Sequence, residues 1–317
     1  MYEKIISDYR DIINKKLIEV YKKGPSGLVV PINYVLSGKG KRLRPLLTIF
    51  SAESFGGSFS KAIHSAIAVE ILHNFTLVHD DIMDEDSTRH GKATVHHKWD
   101  VGTAILTGDA MLSLALKTIQ QSNLKYKLLM NCFVQGLLSV CEGQALDKEF
   151  EDKNNVTIDE YINMIDLKTG HLIGLAAEMG AISADAEKEK IKAVRDYGRL
   201  IGRAFQIQDD LLEIFSNSKN MGKSLKSDLL LGKKTYLMIL AKRFFPNRLE
   251  SALELASKDY SEGLTKIRYL LKTEGIEHMT LEYINKIIDR ADRILDNLDI
   301  EKSKLHFFSK MITNRGN

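Results

Sequence analysis

Apolar residues recur at intervals of three and four along almost the whole chain. In the first segment, for example, they stand at Ile5, Tyr9 and Ile12. This spacing predicts amphipathic helices, and the alternating pattern typical of strands is nearly absent. Proline, which interrupts helices, does not occur between Leu46 and Phe245. The pattern therefore predicts an all-α fold built from long helices.

The breaks between the predicted helices are short clusters of glycine, proline, asparagine or serine, such as KKGPSG at 22–27 and FGGS at 55–58. Such clusters have the length of loops rather than of interdomain linkers. No shift in composition and no low-complexity tract divides the chain. We therefore predict one domain over residues 1–317, a bundle of long helices, although the length alone would allow two domains.

The composition is that of an ordinary globular protein, with 44% hydrophobic and 27% charged residues among 317. A formal net charge of +3 is too small to indicate nucleic acid or a membrane surface as the main partner. No segment stays apolar for the roughly 20 residues that span a bilayer, and the charged N-terminal segment is not a signal peptide. Cys132 and Cys141 fit no disulfide framework or zinc motif, and we interpret both as small core residues of a cytoplasmic protein.

Acidic residues are concentrated at the end of an apolar helical pattern, in the segment HDDIMDED at 79–86. On a helix, Asp80 and Asp84 would lie one turn apart with their Cβ atoms about 5–6 Å from each other, and Asp81 would flank them. Carboxylates placed so closely repel one another and favour a bound cation. A single cluster of this kind is more often a solvated helix end, so the cluster alone does not establish a metal site.

The same spacing returns further along, where Asp209, Asp210 and Glu213 follow a second apolar helical pattern in FQIQDDLLE. Carboxylate oxygens without cysteine ligands select a hard ion such as Mg²⁺, which proteins usually share with substrate phosphates. The two clusters, Asp80, Asp81 and Asp84 in the first aspartate motif and Asp209, Asp210 and Glu213 in the second aspartate motif, therefore predict a phosphorylated substrate. A calcium loop fits less well, because the glycine and acid that it requires are missing.

Basic residues accompany the acidic ones. The run GKGKRLRP at 38–45 ends in Pro45, which predicts the first turn of a helix and an anion site at its N-terminus. By itself this run would equally fit a solvated loop or a nucleic-acid patch. Four further groups lie at predicted helix breaks: RHGK at 89–92, KTG at 168–170, GK at 222–223 and GKKT at 232–235. Together they supply the positive charge that a diphosphate needs.

The histidines leave one alternative open. His73, His79 and Asp80 superficially resemble the metal site of a helical phosphohydrolase of the HD type. That interpretation assigns no role to the second aspartate motif or to the basic run.

Several motifs in order give the chain a specific resemblance. The segments GKGKRLRP, ILHNFTLVHDDIMDEDSTRHGKATVH, LTGDAML, CEGQALD, KTG, FQIQDDLLE, GKSLKSDL and GKKT occur in the order and approximate spacing of the trans-isoprenyl diphosphate synthases. The chain resembles this polyprenyl synthetase family over nearly its whole length, with geranylgeranyl and farnesyl diphosphate synthases as the nearest members.

The resemblance implies a homodimer of the isoprenoid synthase fold, all-helical around a deep apolar cavity. It also implies a transferase that condenses isopentenyl diphosphate with an allylic diphosphate, 1'-4 head-to-tail and in trans. About three Mg²⁺ ions, for which Mn²⁺ can substitute, would assist ionisation of the allylic diphosphate. No nucleic acid is expected as a partner. Two alternatives remain, a class I terpene cyclase and a non-catalytic prenyl-binding subunit.

The resemblance also assigns roles to residues. Metal coordination would fall to Asp80, Asp84 and Asp209, with Asp81 in the same catalytic group. Lys168, Thr169 and Gln206 would act on the ionising allylic group. The substrate-binding residues would be Lys41, Arg44, His73, Arg89, His90, Lys168, Lys223 and Lys233, together with Phe75 in the chain-length pocket.

The sequence departs from the family pattern at two positions. Family members commonly have a second arginine where this chain has His90, and an aspartate where it has Glu213. His90 would leave the isopentenyl site with less positive charge, and this charge would depend on pH. By the family's pattern, a bulky residue five positions before the first aspartate limits elongation, and here it is Phe75. With the small Thr76 next to it, the resemblance favours geranylgeranyl diphosphate over farnesyl diphosphate.

Overall fold

The computed structural model describes residues 2–38, 40–122, 125–215 and 233–313. Within them the chain is almost wholly helical, which confirms the predicted all-α class. The helices are α1 Tyr2–Glu19, α2 Ser26–Leu36, α3 Leu43–Ser54, α4 Phe59–Met83, α5 Val95–Lys98, α6 Val101–Gln120, α7 Tyr126–Asp152, α8 Ile158–Ile165, α9 His171–Ser183, α10 Lys188–Phe215, α11 Tyr236–Phe244, α12 Pro246–Lys258, α13 Tyr260–Thr273, α14 Ile276–Asp296 and α15 Ser303–Thr313. No helix of this described part is long and apolar enough to cross a membrane.

One small hairpin interrupts the helices after the first aspartate motif. Its strands, β1 Thr88–Arg89 and β2 Lys92–Ala93, pair antiparallel with Arg89 opposite Lys92. The two residues between them have positive φ angles, +50° at His90 and +76° at Gly91. Two successive positive φ angles are those of a type I′ turn, whose twist suits a tight hairpin. The predicted break at 89–92 is therefore a hairpin turn.

The described chain separates into two compact units. The first unit contains 1–137, 172–198 and 294–308, and the second contains 138–171, 199–293 and 309–317. The single domain over 1–317 stays a prediction.

The first unit is built around α4, which packs along α3 and α6. Most of α4 is buried, because small and apolar residues such as Ala66 and Leu72 occupy the faces that meet its neighbours. At the start of α3, Pro45 stands in the first turn, as the basic run predicts. The helix α9 approaches α3 so closely that a Cβ on Gly180 would lie 2.2 Å from the carbonyl oxygen of Thr48. These contacts hold the end of α4, and with it the first aspartate motif.

The second unit contains α8, the C-terminal part of α10 and the helices α11 to α13. Its core includes Tyr161, Ile207 and Leu237, which are almost fully buried. Thr157 begins α8 with a capping box, in which its side chain and that of Glu160 each accept a backbone N–H of the other. The second aspartate motif stands within α10, as its helical spacing predicts.

Two sequence-based expectations need correction. The segment at 168–170 is not a helix break: α8 continues through a π-helical turn, Asp166–Gly170, directly into α9. The glycine there serves close packing rather than a loop. Of the two cysteines, Cys132 is half-buried but Cys141 is exposed, so Cys141 is not a core residue in the described chain.

Candidate functional site

The first aspartate motif lies at the C-terminal end of α4. Asp80 and Asp81 belong to its last turn, and the backbone N–H of Asp84 donates to the carbonyl oxygen of Asp80 at 2.9 Å. The turn therefore continues to Asp84, which confirms the predicted one-turn spacing. Asp81 is buried, whereas Asp80 and Asp84 are only partly so.

Arg89 joins this motif to the hairpin. Its Nε donates to Asp81, and its Nη2 lies 3.4 Å from Asp86 and 3.8 Å from Asp80. Burial raises the pKa of Asp81 to about 6, although Arg89 opposes the rise. Burial works against the charge of Arg89, but the carboxylates of Asp81, Asp80 and Asp86 together outweigh it and raise the pKa of the guanidinium. One cation is therefore held among three carboxylates.

Further basic residues surround His73, which lies on α4 together with the first aspartate motif. Burial, followed by the nearby charges of Arg44, Arg89 and His90, holds the pKa of His73 well below its ordinary value. His73 is therefore a neutral hydrogen-bonding group within a positive environment at pH 7. The structure thus places Arg44, Arg89 and His90 close to His73.

Arg42, in the middle of the basic run, has a different surrounding. It is buried and donates hydrogen bonds to Glu70 Oε1 at 2.7 Å and to Asn14 Oδ1 at 2.9 Å. It also donates to the carbonyl oxygens of Leu36 and Gly38. A guanidinium with so many protein partners stabilises the loop before α3. Its neighbour Lys41 is exposed. Adjacent residues of the basic run therefore differ, since Arg42 stabilises the fold and Lys41 lies at the surface.

The remaining candidates of the first unit lie on the hairpin and on α4. His90 occupies the first turn position and is exposed. Partial desolvation, and then the charge of Arg89, lower its pKa from the ordinary value of 6.5. Phe75 is 8% exposed, and its ring centroid lies 4.7 Å from that of His79. Thr76, beside it, donates its hydroxyl to the carbonyl oxygen of His73 at 2.8 Å.

The second aspartate motif differs in its surroundings from the first. Asp210 is buried and accepts hydrogen bonds from the Tyr161 hydroxyl at 2.5 Å and from Gln206 Nε2 at 3.0 Å. Burial raises the pKa of Asp210 to about 6, and these hydrogen bonds limit the rise. Asp209 and Glu213, on the same helix, are only partly buried.

A small pocket of about 60 Å³ opens beside this motif within the second unit. Lys168 reaches it from the π-helical turn and lies 2.6 Å from Asp147 Oδ2. Thr169 donates its hydroxyl to Gln206 Oε1 at 3.0 Å, and Lys233 lines the pocket as well. Lys223, the other lysine that the resemblance assigns to substrate, lies outside the described residues.

The donor set suits a hard divalent cation. Within the described residues, no group of three or more histidine, cysteine or acidic side chains converges in a geometry that holds a metal ion. The acids Asp80, Asp84 and Asp209 nevertheless offer only carboxylate oxygens, the ligands that Mg²⁺ prefers. Their buried neighbours Asp81 and Asp210 have arginine, tyrosine and glutamine partners. The chemistry of these residues therefore fits Mg²⁺.

Sequence reasoning missed three contributions to these sites. Tyr161 holds Asp210, Asp86 shares Arg89 with the first aspartate motif, and Asp166 begins the π-helical turn. Tyr161 precedes Lys168 by two helical turns, a spacing that places both on one face and could have indicated it. Asp86 precedes Arg89 by only three positions, so this contact is also a local one. The partners of Asp166 are Arg199 and Arg203, which are distant in sequence and which no local pattern reveals.

Comparison with known proteins identifies the family. The polyprenyl synthetase model matches residues 26–272. A geranylgeranyl pyrophosphate synthase of Geoglobus acetivorans is 42% identical over 245 residues, which are 76% of either chain. A geranylgeranyl diphosphate synthase of Saccharolobus solfataricus is 42% identical over 298 residues, covering 86% of this chain and 89% of its own. The crystal structure of geranylgeranyl pyrophosphate synthetase from Pyrococcus horikoshii has a TM-score of 0.89 and 35% identity over 99% of both chains. The chain belongs to the polyprenyl synthetase family.

Proposed function

We propose that this transferase condenses isopentenyl diphosphate with an allylic diphosphate, 1'-4 head-to-tail and in trans. The observation that carries the proposal is the pairing of acids and cations in each unit. The first aspartate motif is accompanied by Arg89 and the basic residues around His73. The second is accompanied by the pocket that Lys168 and Lys233 line. Such pairs of acids and cations suit substrates that carry diphosphate groups and arrive with metal ions.

The metal would be coordinated by Asp80, Asp84 and Asp209. Asp81 would support Asp80. Mg²⁺, about three ions by analogy with the family and replaceable by Mn²⁺, would neutralise charge that develops on the departing diphosphate. Asp81 and Asp210 are buried and would support the metal-binding residues beside them through their contacts with Arg89 and Tyr161.

Isopentenyl diphosphate would bind in the first unit. Lys41, Arg44 and His73 would contact its diphosphate, and His90 would stand at the same site. Arg89, Lys168, Lys223 and Lys233 would contact the allylic diphosphate. The partial burial of Arg44 and the lowered pKa of His73 support this assignment, because both side chains then act as hydrogen-bond donors in a poorly solvated position.

The allylic carbon–oxygen bond would break beside Lys168, Thr169 and Gln206. The hydroxyl of Thr169 and the amide oxygen of Gln206 carry partial negative charge, and they lie 3.0 Å apart at the pocket. Oxygen dipoles fixed in advance stabilise a cation that forms next to them. The π-bond of isopentenyl diphosphate would then attack that cation, and loss of a proton would complete one extension.

Geranylgeranyl diphosphate is the product we favour, with farnesyl diphosphate next. Phe75 supports a limited length, because its ring is buried on α4 and rests against His79. The small Thr76 beside it leaves more room than an aromatic residue would.

A homodimer would account for an apolar surface in the first unit. Val101, Ile105 and Leu106 are exposed on α6, and Leu128 and Val134 on α7. Leu106 has 61% of its surface exposed. Large apolar residues exposed together on one face of a protein are typical of an interface between proteins. We propose a second copy of the chain as its partner.

We also propose that residues 1–317 act as one functional domain in the cytoplasm. The family match at 26–272 contains residues of both units, which supports the first statement. Two free cysteines, one of them exposed, support a reducing compartment.

One assay tests the function. The protein is incubated with Mg²⁺, isopentenyl diphosphate and, in separate reactions, dimethylallyl, geranyl or farnesyl diphosphate, and the chain lengths are identified by mass spectrometry. We expect elongation, with geranylgeranyl diphosphate as the main product. Asp80→Asn serves as the inactive control. Failure to elongate any primer would overturn the proposal, and a cyclic hydrocarbon formed without isopentenyl diphosphate would indicate a terpene cyclase.

A further inference from the structure

The π-helical turn Asp166–Gly170 is an unusual feature of the second unit. It closes with the backbone N–H of His171 donating to the carbonyl oxygen of Asp166, five residues earlier. Turns of this kind are rare and are frequently found at functional sites. Here the turn carries both Lys168 and Thr169, which line the pocket. Something outside the turn must stabilise it.

The first residue of this turn forms a buried ion cluster with two arginines of α10. The carboxylate of Asp166, 7% exposed, accepts a hydrogen bond from Arg203 Nε at 2.8 Å and another from Arg199 Nη2. Burial disfavours the charge of Asp166, but the two arginines outweigh it and lower the pKa of the carboxyl. We call Asp166, Arg199 and Arg203 the Asp166 ion cluster. It attaches the first residue of the π-helical turn to α10.

Close backbone packing surrounds the same turn. A Cβ on Gly143 of α7 would lie 2.3 Å from the backbone nitrogen of Lys168. A Cβ on Gly202 of α10 would lie 2.7 Å from the Cα of Gly170. Contacts this short leave no room for any side chain, so the turn packs directly against two helices. Its position therefore depends on theirs.

The contacts from α10 form a single stripe that ends at the second aspartate motif. Residues 199, 203, 206 and 210 follow one another at intervals of four, three and four, and they share a helix face. Their partners are Asp166 for the two arginines, Thr169 for Gln206 and Tyr161 for Asp210. The helix that carries the metal-binding Asp209 thus also holds the turn that carries Lys168.

We propose that Arg199, Arg203 and Asp166 are positioning residues, which fix the π-helical turn relative to the second aspartate motif. This inference rests on the proposed function and deepens it. None of the three residues lines the pocket. The cluster acts through Lys168 and Thr169, whose placement controls ionisation of the allylic diphosphate. Misplacement of reacting groups by about 1 Å can reduce a rate by roughly 100-fold. Binding of isopentenyl diphosphate, assigned to residues of the first unit, should be unaffected.

The test uses the full-length Asp166→Asn and Arg203→Gln variants, with Lys192→Gln as the matched control. Lys192 lies on the same helix, and its side chain is 67% exposed. In both cluster variants we expect kcat to fall by roughly 10- to 100-fold, while KM for isopentenyl diphosphate stays within about twofold. The conservative Arg203→Lys variant should recover part of kcat, because it restores a positive charge near Asp166. Lys192→Gln should retain both constants.

Hydrogen exchange of the substrate-free protein gives a second readout. We expect faster amide exchange at 166–171 in Asp166→Asn, with unchanged exchange in α3 and α4. An unchanged kcat in both cluster variants overturns the inference. Faster exchange throughout the chain also overturns it, since the cluster would then serve global stability alone. If the wild-type protein transfers no prenyl group, the proposed function fails, and local exchange alone decides whether the cluster holds the turn.

Discussion

At the scale of single residues, His90 stands where the resemblance leads us to expect a second arginine. It stands at φ +50° in the hairpin turn, next to Arg89. Partial desolvation and the charge of Arg89 lower its pKa below 6.5, so His90 is neutral at pH 7. The site assigned to isopentenyl diphosphate therefore has one positive charge fewer at this pH than a second arginine would provide.

We expect His90→Arg to lower KM for isopentenyl diphosphate by about three- to tenfold at pH 7.5, since a charged donor binds diphosphate more strongly than a neutral one. His90→Asn, which tolerates the same backbone angle, is the neutral control and should not lower KM. Steady-state kinetics at saturating allylic substrate gives the comparison. An unchanged or higher KM in His90→Arg would contradict this interpretation.

The wild-type protein and the His90→Arg variant should also differ in how KM for isopentenyl diphosphate depends on pH. A lowered pKa means that wild-type His90 gains its charge only as the pH falls below 6.5. The advantage of His90→Arg should therefore shrink as the pH decreases, because the wild type becomes positive as well. Comparing the two proteins at each pH cancels the titration of the substrate and of Asp81. A ratio of KM values that stays constant from pH 7.5 to the lowest pH at which both proteins remain folded argues against titration of His90.

Arg42 illustrates a residue whose importance is structural. It is 5% exposed and pairs with Glu70, which is 4% exposed. Arg42→Met should reduce the free energy of unfolding by about 3–5 kcal/mol, because it leaves Glu70 buried without its cation. Urea denaturation measures the loss. Lys22→Met, which removes an exposed partner of Glu19, should cost about 1 kcal/mol or less and is the control.

At the scale of elements, periodicity predicted the helices because most of them bury one face and expose the other. It also placed both aspartate motifs correctly on α4 and α10. The turn at Asp166–Gly170 could not be predicted, because its extra residue depends on Arg199 and Arg203, more than 30 positions away in sequence. The burial of Arg42 could not be predicted for the same reason, because its carboxylate partner Glu70 lies on α4, far from it in sequence. Local pattern therefore predicts elements better than it predicts their partners.

The helix α4 joins the first aspartate motif to the residue that we expect to limit product length. Phe75 precedes Asp80 by five positions, and its ring is buried against His79. Phe75→Ala should release products longer than geranylgeranyl diphosphate, because the smaller side chain opens space along the growing chain. Thr76→Phe is the opposite variant and should shorten the product. Mass spectrometry of products from farnesyl diphosphate and geranyl diphosphate reads out both, and an identical product distribution from Phe75→Ala refutes the assignment.

At the scale of the whole molecule, the formal charge of +3 hides strong local differences. Arg89 lies among three carboxylates, and Lys168 is paired with Asp147. Within each unit, cations are thus held close to acids before any diphosphate arrives. Diphosphate groups and metal ions would exchange partners with these pairs, which explains how a nearly neutral chain can suit a highly charged substrate.

The apolar surface on α6 and α7 leads to a prediction about assembly. In a symmetric dimer each substitution occurs twice, so replacing Leu106, 61% exposed, with glutamate removes two apolar contacts and buries two carboxylates. At about 1.5–3 kcal/mol for each lost leucine, Leu106→Glu should weaken dimerisation by at least 100-fold. Sedimentation velocity over a dilution series measures this change. Tyr269→Glu, at a site 65% exposed on α13, is the control and should leave the dimer intact. A wild-type chain that sediments as a monomer, or a Leu106→Glu variant that dimerises as tightly as the wild type, would rule out this surface as the interface.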